Sequence, residues 1–214
     1  MVENLMQPFR EQKGFTLVEV VISLMMASII GVAVYNSAKV QQDTYVSQDM
    51  VVGMQDNLRA SLLLMEKEIR RAGYNPNESL ATGITAAAAN QLTFTYDDGT
   101  GTLETITFLL YNGGNPVRQR LGRRNPLQTM PVADYIENLE FFYTMADGSQ
   151  TTAPATLADI RAVQVTVLAR TENTDPKGGG AGAFTTPSGA VWNIPAGYRG
   201  RMATTTVVCR NMGL

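Results

Sequence analysis

The hydrophobic and polar positions of this chain follow three regimes. Residues 15–35 are apolar or small on every side and carry one charge, Glu19. From Val46 the apolar positions recur every third or fourth residue, through Met50, Met54, Leu58, Leu62, Met65 and Ile69. Gln41, Gln42, Asp43, Gln48, Asp49, Gln55, Asp56, Arg59, Glu66 and Lys67 occupy the other positions. That spacing is one face of a helix. Past residue 90 the period shortens to two, the alternation of strands.

The first two regimes predict one helix over residues 15–72, about 58 residues and about 87 Å long. Glu66 and Arg70 stand one turn apart and can pair, and Arg70 and Arg71 suit the negative carboxyl end. "RRAGYNP" supplies the stop, with Gly73 able to take the left-handed cap and Pro76 unable to continue the helix.

The third regime predicts a hairpin. Leu92, Phe94 and Tyr96 share one face, "DDGTG" turns, and Ile106, Phe108 and Leu110 return. "VRQRL" adds a short strand, and "NLEFFYT", "DIRAVQVTVLART" and "RMATTTVVCRN" add more, with Ile160, Val163, Val165 and Val167 as core positions. Five to seven strands beside an amphipathic helix make an α+β fold, a long amino-terminal helix packed on an antiparallel sheet domain. Residues 171–198 lack periodicity and are rich in Gly, Pro and Thr, so a mobile loop or an interaction surface is expected. Trp192 within it is assigned to packing on the domain, with partner contact as the alternative.

Composition removes several chemistries. The chain has 214 residues, 44% apolar, and a net charge of −2, which gives no bulk attraction to nucleic acid or anionic lipid. It has no histidine and a single cysteine, Cys209, which removes Ser-His-Asp and Cys-His catalysis, most metal sites and any intrachain disulfide. Cys209 is read as a small apolar strand residue.

At about 1.5 Å per residue, residues 15–35 cover about 30 Å, one bilayer thickness. Arg10 and Lys13 precede the span, so the carboxyl-terminal bulk is expected outside the inner membrane. A cleaved secretory signal would have a shorter apolar core and no acid. A carboxylate at membrane depth marks function unless it has a partner. Between residues 15 and 38 no basic residue offers one. A cut between Gly14 and Phe15 would create a cationic α-amino group four residues from Glu19, in the same chain or a neighbour.

"KGFTLVEV" resembles the type III signal of type IV prepilins and type II secretion pseudopilins, with Gly14 before the cut, Phe15 after it, Glu19 next and an apolar helix following. The resemblance implies removal of residues 1–14 by a prepilin peptidase and N-methylation of Phe15. It also implies pairing of Glu19 with a neighbouring subunit's amino terminus during assembly. "LLLMEKEIRRAGYNP", "IENLEFFYT", "IRAVQVTVLARTE" and the terminal "TTTVVCRN" together resemble the PilW group of minor pilins, related to the J-type pseudopilins. The implied organisation is a leader over 1–14, a transmembrane and filament-core helix over 15–36, an amphipathic helix over 37–73 and an extracytoplasmic domain over 74–214. The implied partners are the prepilin peptidase, other minor and major pilins, an inner-membrane assembly platform and, before assembly, inner-membrane lipid. No cofactor is implied.

Three further stretches are weighed against blander roles. Arg118, Arg120, Arg123 and Arg124 form a basic cluster that can meet phosphate, and a solvated basic loop is preferred over nucleic acid. "DDGTGT" is assigned to a hairpin turn rather than a calcium loop, because the spaced ligands and closing Glu are missing. "KGGGAG" lacks the ending of a phosphate loop. No catalytic residue is expected.

Overall fold

A computed structural model describes residues 14–213 except 77, 79, 115–117 and 181. Arg10, Lys13 and the rest of the expected leader before Gly14 lie outside the described residues, as does Val117 of "VRQRL". The chain divides into two compact units, residues 1–44 and 45–214. Helix α1 spans Leu17–Ile69. The expected end at residue 72 comes three residues too late. Arg71 N–H and Ala72 N–H donate to the carbonyls of Glu68 and Ile69, both 3.0 Å, so the last turn tightens to i→i−3 bonding before the chain stops. Gly73 then takes φ +78°, and an added Cβ there would lie 2.8 Å from the Asn211 carbonyl oxygen. The stop therefore needs glycine both for its backbone and for a close approach.

In the first unit the described side chains of residues 14–42 are exposed on all sides of α1. In the second unit the amphipathic stripe meets the sheets. Met54, Leu58, Met65 and Ile69 are buried, while Val46 is exposed and its neighbour Ser47 is buried instead. A buried hydroxyl at Ser47 breaks the periodic pattern, and its partner belongs to a distant segment described below.

The strands are β1 (Gly83–Ala88), β2 (Gln91–Asp97), β3 (Leu103–Gly113), β4 (Arg118–Arg124), β5 (Thr129–Asp134), β6 (Ile136–Met145), β7 (Gln150–Thr151), β8 (Ile160–Arg170), β9 (Ala183–Thr185), β10 (Val191–Asn193) and β11 (Gly200–Val208). The first five form a meander, and a second sheet has the order β11-β8-β6-β7. All described pairings are antiparallel. The predicted hairpin is β2–β3, with Leu92 opposite Phe108 and Phe94 opposite Ile106.

The two sheets share one core with residues 45–69 of the helix. Phe94, Phe108, Phe141, Ile160, Val163, Val165 and Val167 are fully buried in it. Each such aliphatic or aromatic side chain contributes about 1.5–3 kcal/mol relative to exposure. Phe141 N–H donates to the Ala89 carbonyl at 2.7 Å and Tyr143 Oη donates to that of Ala88 at 2.9 Å, tying the second sheet to the first. Burial pushes the Tyr143 phenol far above its usual range.

Strands β1, β5, β7, β9 and β10 go beyond the expected set. "GITAAA" is alanine-rich and β5 contains Pro131, so local propensity is poor in both. Residues 171–198 are not structureless. They carry the β9–β10 hairpin, and Ile194 within them is buried outside the main core cluster.

Candidate functional site

The amino-terminal motif begins where α1 begins. Thr16 precedes the first helical residue, and Glu19 lies three positions on. Thr16 N–H and Thr16 Oγ1 both donate to Glu19 Oε2 at 2.9 Å, and Glu19 N–H donates back to Thr16 Oγ1 at 3.3 Å. This is a reciprocal capping box, which satisfies donors that a helix start otherwise leaves open. The partner of Glu19 is not a basic residue but Thr16, and the Thr-x-x-Glu spacing before an apolar run is the sequence signature of such a box. Only Oε2 is engaged. Glu19 Oε1 accepts no hydrogen bond among the described residues, so one oxygen remains available to an incoming cation.

Beside it, Phe15 is 89% exposed and Leu17 81% exposed. The helix is long and apolar enough to cross a membrane by length and composition. Its internal hydroxyl at Ser28 donates to the Leu24 carbonyl at 2.8 Å, the local arrangement that lipid requires of a polar group. Gly14 has open space around it, with no atom within 4 Å of an added Cβ. Among the described residues nothing therefore requires glycine at that position.

The basic cluster is built differently from expectation. Residues 118–124 are strand β4, which extends the short strand expected at "VRQRL" through Arg123 and Arg124 in place of a solvated loop, and their charges are largely matched. Arg118 Nε lies 2.9 Å and Arg120 Nε 2.6 Å from the Asp134 carboxylate, while Arg123 Nε lies 3.7 Å from Glu68. Arg124 Nε donates to Thr129 Oγ1 at 3.1 Å. The strand holds these guanidiniums against its neighbours and not as a convergent phosphate cradle. Asp134 and Glu68 arrive from β5 and α1, and no sequence spacing announces them.

Tyr135, between β5 and β6, takes φ +58°, uncommon for a bulky residue. It is held by Arg118, which donates to its hydroxyl at 2.9 Å, and by Glu172, which accepts from that hydroxyl at 2.5 Å. Burial, then the bond to Glu172, pushes its phenol up. Arg170 stacks over Tyr198 at 4.4 Å and pairs with Glu137 at 2.9 Å.

Residues 171–199 are clasped to the domain at two carboxylates. Asp175 accepts from Ser47 Oγ at 3.2 Å, from Lys177 N–H at 2.9 Å and from the Arg199 guanidinium. Its carboxyl is held below the ordinary aspartate range, first by the Lys177 amide and also by Arg199. Glu140 of β6 accepts from Thr186 Oγ1 at 3.0 Å and Ser188 Oγ at 2.6 Å. Trp192 lies half-buried in β10 opposite Phe184. In the hairpin turn, Asp97 Oδ1 accepts from Gly99 N–H at 2.9 Å and Gly101 N–H at 3.1 Å. Asp98 accepts from Thr100, whose hydroxyl and amide hold its carboxyl low.

Residues 9–35 match the family described as "Prokaryotic N-terminal methylation motif". Among solved structures, a type IV-like pilin, TTHA1219 from Thermus thermophilus, aligns at 15% identity and a TM-score of 0.49, covering 74% of this chain and 98% of that one. No curated protein sequence matches the chain.

Proposed function

We propose that this chain is a minor pilin, a structural subunit of a type IV filament. It is held in the inner membrane by the first part of α1 until assembly, with residues 45–214 outside. The observation that carries this is the amino-terminal motif itself. A carboxylate capped by Thr16 on one oxygen and open on the other stands at the start of an uncovered apolar helix, within a matched methylation motif. A prepilin peptidase cuts between Gly14 and Phe15, and Phe15 is N-methylated. The open Glu19 oxygen then receives the amino terminus of a neighbouring pilin subunit as an assembly platform lifts the helix out of lipid. Charge neutralisation at low dielectric makes the contact selective for a correctly processed and aligned neighbour. The elaborated 171–199 segment suits a low-copy position in the initiating tip complex.

Mass spectrometry of the protein from its native membrane tests the processing step. A chain beginning at N-methylated Phe15 is expected. An intact Met1, or a cut after Tyr35, overturns the reading in favour of a membrane-anchored binding protein or enzyme. Deletion of the gene separates two filament roles: loss of surface pili supports a pilus subunit, and blocked protein export with pili intact assigns it as a type II secretion pseudopilin.

A further inference from the structure

An open sheet edge attracts foreign strands, and proteins normally blunt such edges with bulges, proline, lysine or shortness. Three terminal strands of the two large sheets carry such devices. β1 has a register shift between Ile84 and Ala86, β5 contains Pro131 and pairs through a shift at Leu121 and Gly122, and β7 has two residues. β11 has none of them. It runs nine residues in unbroken register with β8, contains no proline or lysine, and has Arg201 as its only charge. Its sequence "MATTTVV" is rich in β-branched residues, and Val208 is 57% exposed. Among the described residues, no strand pairs with its other edge.

We propose that the free edge of β11 is a docking site for an extended strand from a different subunit, bearing a carboxylate. This rests on the filament-subunit reading only in supplying the partner. Main-chain hydrogen bonds along residues 202–208 would add the strand to the sheet, as in other β-augmented complexes. The chemistry of its side chains follows from what borders the edge. On the helix side, Gln55, Leu58, Arg59, Leu62, Arg201 and Ala203 line a depression of about 120 Å³. Its floor is apolar at Leu58, Leu62 and Ala203, and neither Arg59 nor Arg201 has an ion-pair partner among the described residues. An incoming strand whose inward face alternates an apolar side chain with Asp or Glu would fill the depression and match both guanidiniums. A second copy of β11 would not, because "GRMATTTVV" contains no acid and would bring another arginine.

The test uses the full chain in cells that assemble it, with a photo-reactive amino acid at Thr204 or Thr206, which are exposed and face away from the depression. The expected adducts join one partner polypeptide at sites separated by about two residues, the period of a paired strand. Arg59→Glu with Arg201→Glu should lower the adduct yield by about fivefold. Adducts to an isotopically distinguished copy of this chain, adducts at sites with no strand register, or no adduct in assembled material would each overturn the proposal. The state of Phe15 is read from the same material, so failure of the edge contact with Phe15 processed leaves the functional reading standing, and an unprocessed chain defeats that reading independently.

Discussion

Replacing Asp175 with alanine should loosen the Asp175 end of the 171–199 segment, which Glu140 still holds at Thr186 and Ser188, while leaving the central sheets intact. The Asp175 side chain has no solvent exposure, whereas that of Arg199 is 44% exposed. Water can therefore re-solvate the freed guanidinium, and loss of that pair costs only about 0.5–1 kcal/mol. Ser47 is buried and loses its acceptor, and the Lys177 amide loses a charged one, together worth about 2 kcal/mol. The local loss is about 3 kcal/mol, which accelerates amide exchange about 150-fold in peptides covering residues 171–178, while those covering 183–193 stay protected by the Glu140 contacts. Hydrogen exchange with mass spectrometry on the full chain in detergent measures this directly. Asp175→Asn keeps an acceptor for Ser47 and Lys177 and should accelerate exchange far less. A change below about threefold in the alanine variant would refute the clasp. The pH dependence has a defined sign. The folded carboxyl titrates below the ordinary value of 3.8, so its contribution is fully present above that pH and is lost as pH falls toward the folded value.

Three other outcomes follow from the same geometry. Gly14→Ala meets no atom of the described residues within 4 Å, so it should leave folding and membrane insertion unchanged while blocking removal of residues 1–14; normal processing on an immunoblot would show that glycine is not read there. Glu19→Ala should insert into membranes yet fail to enter filaments, and Thr16→Val should be the milder defect because Glu19 Oε1 keeps its role; equal incorporation of both with wild type, counted in sheared filaments, would defeat the assembly mechanism. Cys209 is 3% exposed and burial pushes its thiol up to about 11, so at about pH 8 iodoacetamide should label it only after denaturation, and prompt labelling of the native protein would contradict the packing.

The sequence by itself determined the elements whose side chains repeat at a fixed period. The long helix, expected over 15–72 and observed over Leu17–Ile69, its stripe from Met54 to Ile69 and the Leu92–Phe108 hairpin follow from local spacing, because burial of one face imposes that spacing on the residues, and the stop at Gly73 follows from its left-handed backbone. The motif around Gly14, Phe15 and Glu19 is legible because its parts lie within six consecutive residues. Tertiary structure decided what local preference opposed or left open. The alanine-rich β1 becomes a strand because β2 offers it a ladder, and β5 does so despite Pro131 because β4 pairs with it. The arginines of β4 changed from a solvated cluster to paired structural groups because Asp134 and Glu68 approach from other elements. Ser47 and Asp175 stand 128 residues apart, and β11 is an edge because no other strand among the described residues reaches it. Such contacts depend on how the chain folds back on itself, and a linear pattern records periodicity along the chain but not proximity across it.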